Sequence, residues 1–232
     1  MHAGLVISFE GISGAGKTTA VRHVDQWLLG ADMNVAVKED LLNYTGEVND
    51  IGRKIKQILD AAAPTFRLGY PFAETLLIIA KRAFESQKRL EPAYRDGAVV
   101  LLDRDIDTVC ALQLPVLRDL RPNVPEEALI QWIRLTNHLA ALEPELTIVL
   151  EVDIDESIRR EHRKALDDLS EHELEEQRAW CVRLQEDYKK VFAIPLERRT
   201  LIYVDANRPL PAVLDSVEQT IEEWFKDRNI RV

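Results

Sequence analysis

The apolar residues of this chain fall into two alternating rhythms. Unbroken apolar runs at residues 5–9 (LVISF), 33–38 (MNVAVK), 98–103 (AVVLLD), 146–152 (LTIVLEV) and 200–205 (TLIYVD) read as strands buried on both faces. Between them the apolar positions recur at helical spacing. Residues 17–29 set Val21, Val24 and Leu28 on one side, and residues 47–62 do the same with Ile51, Ile55, Ile58 and Leu59. Pro71 opens a long segment, apolar on several sides and therefore central, which Pro92 interrupts and Gly97 ends. Helical stretches then run to about residue 120 and, beyond the loop at 121–125, to about residue 142. A last helix spans the region from Pro209 to Lys226. Strands joined by helical crossovers predict an α/β protein of three layers, a mainly parallel five-stranded sheet between helices.

Length and pattern suit one domain over residues 1–232, without internal repeats or a flexible linker. One stretch departs from the rest. Residues 159–177 turn abruptly from basic to acidic and read as part of a helical lid, about residues 157–177.

The first strand leads into FEGISGAGKTT, residues 9–19, which holds G-x-x-x-x-G-K-[ST] as Gly11, Gly16, Lys17 and Thr18. Glycines let the backbone curl so that several N–H groups face one anion, and the following helix adds its positive end. Gly11, Ser13, Gly14, Ala15, Gly16, Lys17, Thr18 and Thr19 therefore form a candidate cradle for the phosphates of ATP. Within it Lys17 would reach the terminal phosphates and the Thr18 hydroxyl would hold Mg²⁺. Asp103 ends the strand of residues 98–103, where a magnesium-organising acid is needed; the alternative is a strand-end aspartate that caps the next helix. The fold expected from this motif is a P-loop kinase fold.

Composition narrows the partners. A net charge of −10 over 232 residues argues against nucleic-acid polymers and anionic membranes, while leaving room for a local basic patch that holds a small anion such as a nucleotide. The two cysteines, Cys110 and Cys181, lack metal-ligand spacing and read as buried thiols. No apolar run is long enough to span a bilayer and no leader pattern opens the chain, so a cytoplasmic protein is expected.

Several ordered motifs together resemble the thymidylate kinase family of nucleoside monophosphate kinases: FEGISGAGKTT, the stretch from residue 76 to 113, EPELTIVLEV at 143–152, and YVDANRP at 203–209. The resemblance implies ATP and Mg²⁺, a homodimer, and specific roles. Lys17 and Thr18 would bind phosphate and magnesium, and Asp103 would organise magnesium or polarise the acceptor phosphate. Arg104 would bind that phosphate, and Arg82 would hold the acceptor base or its phosphate. Gln113 stands near the acceptor, and Lys38 and Glu39 keep the charge order of the segment after strand two. Arg159, Arg160 and Arg163 fall where the lid begins, so a lid arginine would neutralise the transferred phosphoryl group.

The chain departs from the family pattern on the base-reading side. Ser13 replaces the usual Asp or Arg, Ile78 stands where a ring stacks on thymine, and Asp105 and Leu112 replace two tyrosines. Tyr44, Phe66, Tyr70 and Phe72 are candidate substitute rings or packing residues. Arg82, in an apolar helix, is a ligand or the partner of Glu74, Glu85 or another carboxylate. Residues alone leave open a kinase acting on a hydroxyl, with Asp103 or Glu39 as base, and a non-catalytic nucleotide-binding regulator.

Overall fold

A strand apolar on both faces is stable only under two layers of helix, and the fold follows from that need. The computed structural model describes residues 4–38, 50–60, 69–165 and 170–230. Its strands are β1 (Leu5–Glu10), β2 (Val35–Lys38), β3 (Val99–Asp103), β4 (Leu146–Glu151) and β5 (Thr200–Asp205). The helices are α1 (Lys17–Gly30), α2 (Ile51–Asp60), α3 (Pro71–Glu85), α4 (Glu91–Arg95), α5 (Ile106–Leu120), α6 (Glu126–His138), α7 (Ile154–Ala165), α8 (Glu171–Ala193) and α9 (Leu210–Lys226). All strand pairs are parallel, in the order β2-β3-β1-β4-β5. The expected five strands and three layers are thus present.

Pleating divides the central strands between two cores. Ile7, Phe9, Val99 and Leu101 enter the larger one with Leu114, Ile130, Ile148, Val217 and Phe225. Val6, Val100 and Leu102 point the other way, against Leu90. Each large side chain sealed in this way contributes about 1.5–3 kcal/mol. Cys110 and Cys181 are buried free thiols, as their apolar settings predict.

The long central helix is not broken at Pro92 as expected. Residues Ser86–Leu90 form a π turn that joins α3 to α4, so the helical path continues through the proline. Proline lacks an N–H and its ring clashes with the carbonyl four residues back; the wider turn ahead of it absorbs both defects. The sixth helix is shorter than expected, ending at His138 instead of near residue 142. The described residues of the 157–177 stretch lie in α7 and the start of α8, and α8 runs on to Ala193. Ser170 and Glu173 form a capping box that starts α8, a local signal that the apolar pattern alone does not reveal.

One buried carboxylate ties four segments together. Asp107 accepts from Arg134 at 2.9 Å and also from Arg199, all three side chains being buried. Arg134 further donates to the carbonyl oxygens of Val191 (2.8 Å) and Ile194 (2.7 Å). The start of α5, α6, the end of α8 and the residue preceding β5 therefore share one charge cluster. Asp107→Ala removes the anion between two buried guanidinium groups and should cost about 3–5 kcal/mol. A denaturant midpoint close to the wild-type value would disprove that role.

Candidate active site

In an open parallel sheet the crevice for a ligand lies at the carboxyl ends of strands whose connections leave in opposite directions. Here β1 lies between β3 and β4, and its carboxyl end runs into the glycine-rich turn. Gly11, Gly14 and Gly16 all take positive φ, 137°, 72° and 94°. A Cβ at Gly11 would lie 2.6 Å from the Leu150 carbonyl oxygen, and one at Gly14 would lie 2.4 Å from that of Ser157. Ser157 also donates its hydroxyl to the Ser13 carbonyl at 2.6 Å. Helix α7 is thus seated directly on the phosphate turn.

The Lys17 ammonium donates to the Ile12 carbonyl at 2.7 Å, and the Thr18 hydroxyl donates to Asp103 Oδ2 at 2.6 Å. The other oxygen of Asp103 is buried and has no hydrogen-bond partner among the described residues. Buried carboxylate oxygens are rarely left so. A hard cation beside Thr18 would satisfy it, so the donor set fits Mg²⁺. Among the described residues no cluster of three or more His, Cys, Asp or Glu side chains could hold a metal alone. Phosphate oxygens and water must complete such a site.

A cavity of about 640 Å³ opens over the turn, lined by residues 13–20 together with Arg104, Arg159, Arg160, Arg163, Asn207 and Arg208. The structure therefore brings Arg159 and Arg163 to the same space as Lys17. Arg159 is clamped by Glu156 (2.6 Å), whereas Arg160 spans Glu156 (2.7 Å) and the Ala206 carbonyl (2.8 Å). The sequence reading did not single out Arg208, although it lies within the YVDANRP segment.

Arg104 has φ +63°, a left-handed conformation that costs a non-glycine residue of order 1 kcal/mol and persists where its surroundings enforce it. Its amide donates to the Phe9 carbonyl (3.1 Å), its carbonyl accepts from Lys38 (3.1 Å), and its guanidinium donates to the Gly11 carbonyl (3.1 Å). Lys38 is buried, and burial followed by the nearby Arg82 cation lowers its ammonium to about 8. Arg82 is also buried, donating Nε to Asn137 (2.9 Å) and Nη2 to Asp105. The partner is thus neither Glu74 nor Glu85. Gln113 is buried, accepting from the Thr75 hydroxyl at 3.3 Å. Glu39, Tyr44 and Phe66 lie outside the described residues. Tyr70 is exposed, and Phe72 packs edge-on against Trp132 at 5.2 Å, a packing role.

Glu10, which the sequence reading passed over, organises the floor. Its carboxyl accepts from the Asp105 amide (2.8 Å), the Thr108 amide (3.3 Å) and hydroxyl, and Tyr188 (3.2 Å). Burial, and then the Asp107 charge, raise it to about 7. Burial and Glu10 in turn push the Tyr188 phenol up. The position before Gly11 was visible in the motif, but Tyr188, far along the chain, carried no local signal.

A phosphate-binding turn at the crevice of a parallel sheet, faced by a strand-end acid and ringed by arginines, defines a nucleotide-dependent phosphotransferase of the P-loop class. The chain belongs to the thymidylate kinase family, whose model, described as Thymidylate kinase, matches residues 9–217. It is similar to the thymidylate kinase of Limosilactobacillus reuteri, 30% identical over 229 residues covering 97% of this chain and 98% of that protein. The thymidylate kinase of Caldanaerobacter subterraneus subsp. tengcongensis is 28% identical over 232 residues, 98% and 99% of the two chains. It is accordingly a nucleoside monophosphate kinase by class.

Two outcomes check this geometry. Gly14→Ala should displace α7 and weaken nucleotide binding about tenfold or more in calorimetric titration, with helix content retained; unchanged affinity would contradict the seating of α7. Folding lifts Glu10 from its ordinary 4.5 to about 7. Its stabilising contribution is therefore complete below about 4.5 and lost as pH rises through 7. Glu10→Gln should flatten the fall in denaturant midpoint across that window, and an undiminished slope would assign the slope elsewhere.

Proposed function

We propose that this enzyme transfers the γ-phosphoryl group of ATP directly to a nucleoside monophosphate, releasing two diphosphates. The observation that carries the reading is the Thr18–Asp103 contact of 2.6 Å, with the second Asp103 oxygen buried and unmet beside the phosphate turn. The curvature of the turn aims main-chain amides at the phosphates, and Lys17 exchanges the Ile12 carbonyl for a phosphate oxygen. Thr18 and Asp103 would hold Mg²⁺, whose contribution when bound is to neutralise charge on the transferred group. The phosphorus–oxygen bond to the ADP leaving group breaks as the acceptor phosphate oxygen forms a new one, without a covalent enzyme intermediate. Arg104 positions the acceptor phosphate, and the arginines of α7 face the transferred group from above.

The α7–α8 hairpin acts as the lid within a single domain, excluding water while transfer proceeds. Relatives named thymidylate kinase make dTMP the first acceptor to try. The same reading takes the enzyme as a cytoplasmic homodimer. Ile51, Ile58 and Leu76, exposed apolar side chains on α2 and α3, support self-association, which sedimentation velocity measures.

A screen of dTMP, dUMP, UMP, CMP and dGMP, and of the matching nucleosides, scored by ADP release, tests the acceptor class. Lys17→Ala should lower kcat on the order of 100-fold or more while leaving the circular dichroism spectrum unchanged. Full activity in that variant, or transfer to nucleosides alone, would refute the assignment.

A further inference from the structure

One phenol touches both halves of the site. Tyr188, on α8, is 4% exposed, and four groups surround its hydroxyl. They are the Thr108 hydroxyl, Glu10 Oε2 at 3.2 Å, the Gly11 carbonyl at 3.4 Å and Arg104 Nη1 at 3.4 Å. Gly11 opens the phosphate turn, Arg104 follows the acid that faces Thr18, and Thr108 lies in the first turn of α5. Three segments that meet at the crevice therefore share a single contact from a fourth.

The protons assign the roles. Thr108 gives its hydroxyl proton to Glu10, which leaves its oxygen to accept. Burial, and then the Glu10 charge, push the phenol up, so it keeps its one proton. Glu10, Thr108 and the Gly11 carbonyl can each take that proton, whereas a guanidinium is a donor only. Arg104 must then meet a lone pair of the phenol oxygen. The same guanidinium nitrogen donates to the Gly11 carbonyl at 3.1 Å. In a trans peptide the carbonyl and the next N–H point in opposite directions, so pinning the Gly11 carbonyl also aims the Ile12 amide. The two 3.4 Å contacts are long for hydrogen bonds, as active-site contacts often are before substrate is held.

Resting on the reading of Arg104 as the arginine of the acceptor phosphate, we propose that Tyr188 is a positioning residue for phosphoryl transfer. Its oxygen holds the Arg104 guanidinium against the Gly11 carbonyl, so acceptor arginine and phosphate turn are set relative to each other by one side chain of α8. Thr108 orients the phenol for that task. The first turns of α8 belong to the proposed lid, so the anchor and the lid share one helix.

Tyr188→Phe keeps the ring and its stacking on Phe192 (5.5 Å) and removes only the oxygen. With ATP and the best monophosphate acceptor, kcat/KM for the acceptor should fall about tenfold, and KM for ATP should stay within about twofold. Arg104→Lys keeps the charge but lacks the planar fork, and should lose at least about tenfold on the same measure. Adding Tyr188→Phe to Arg104→Lys should then cost no more than about a further twofold, because the phenol has no guanidinium left to hold. Thr108→Val, which deletes the hydroxyl beside the phenol, should lower acceptor kcat/KM about threefold and decides the matter if Tyr188→Phe does not fold. A lowered denaturant midpoint with acceptor kcat/KM unchanged makes Tyr188 a stability residue and overturns the proposal, as do losses that multiply in the double variant. Arg104→Lys with unaltered acceptor kcat/KM overturns the role of Arg104 and this proposal with it. Absence of wild-type transfer to every monophosphate overturns the function proposed above as well.

Discussion

The site depends on the parallel register between β1 and β3. Phe9 stands opposite Asp103, so the strand that feeds the phosphate turn and the acid that faces Thr18 are neighbours by backbone pairing alone. From that pairing the rest follows. The amide of Arg104 bonds back to the Phe9 carbonyl, which turns the chain sharply and accounts for the left-handed backbone there. Glu10, the next residue of β1, receives the amides of Asp105 and Thr108 and so fixes how α5 leaves the sheet. A slip of one residue in the register would send the carboxylate to the opposite face of the sheet.

Beneath the crevice lies an unusual density of buried charge. Glu10, Asp103, Asp105 and Asp107 share the interior with Lys38, Arg82 and Arg134. Such pairs seldom add net stability, because desolvation consumes most of the attraction. Their effect is geometric: each guanidinium accepts few orientations once its carboxylate and carbonyl partners are in place. Arg134, held by Asp107 and two carbonyls of the α8 end, shows that constraint in its structural form. Both guanidinium groups still keep one buried N–H, Arg134 Nε and Arg82 Nη1, without a hydrogen-bond partner among the described residues.

Much of this was legible in the sequence. Continuous apolar runs give the central strands because those strands are covered on both faces, and the glycine spacing gives the turn because only a backbone free of Cβ can pass Leu150 and Ser157. Partnerships across the fold were not legible. Nothing near Arg82 announces Asp105 or Asn137, which lie on other elements, whereas the local carboxylate Glu85 stands three residues on, at a spacing that favours pairing along a helix. Tyr188 reaches Glu10 only because α8 crosses the sheet. The capping box at Ser170 was readable but stood outside the apolar rhythm, and Pro92 misled because a helix can change its winding without ending.

That change of winding sets the azimuth of the central rod. Each residue of an α-helix advances the side-chain direction by about 100°, and a π turn inserts an extra residue without lengthening the path by a full step. Leu90, within the turn, locks its lower end against Val100 and Leu102 of the sheet, so the phase is anchored from below. Upstream, Arg82 inherits whatever phase the turn dictates. Excising one residue between 86 and 90 would therefore swing the guanidinium toward a different quarter of the molecule while leaving the helix itself intact. In this chain, the compass bearing of the Arg82 side chain is written one and a half turns away from it, in an irregularity of the backbone.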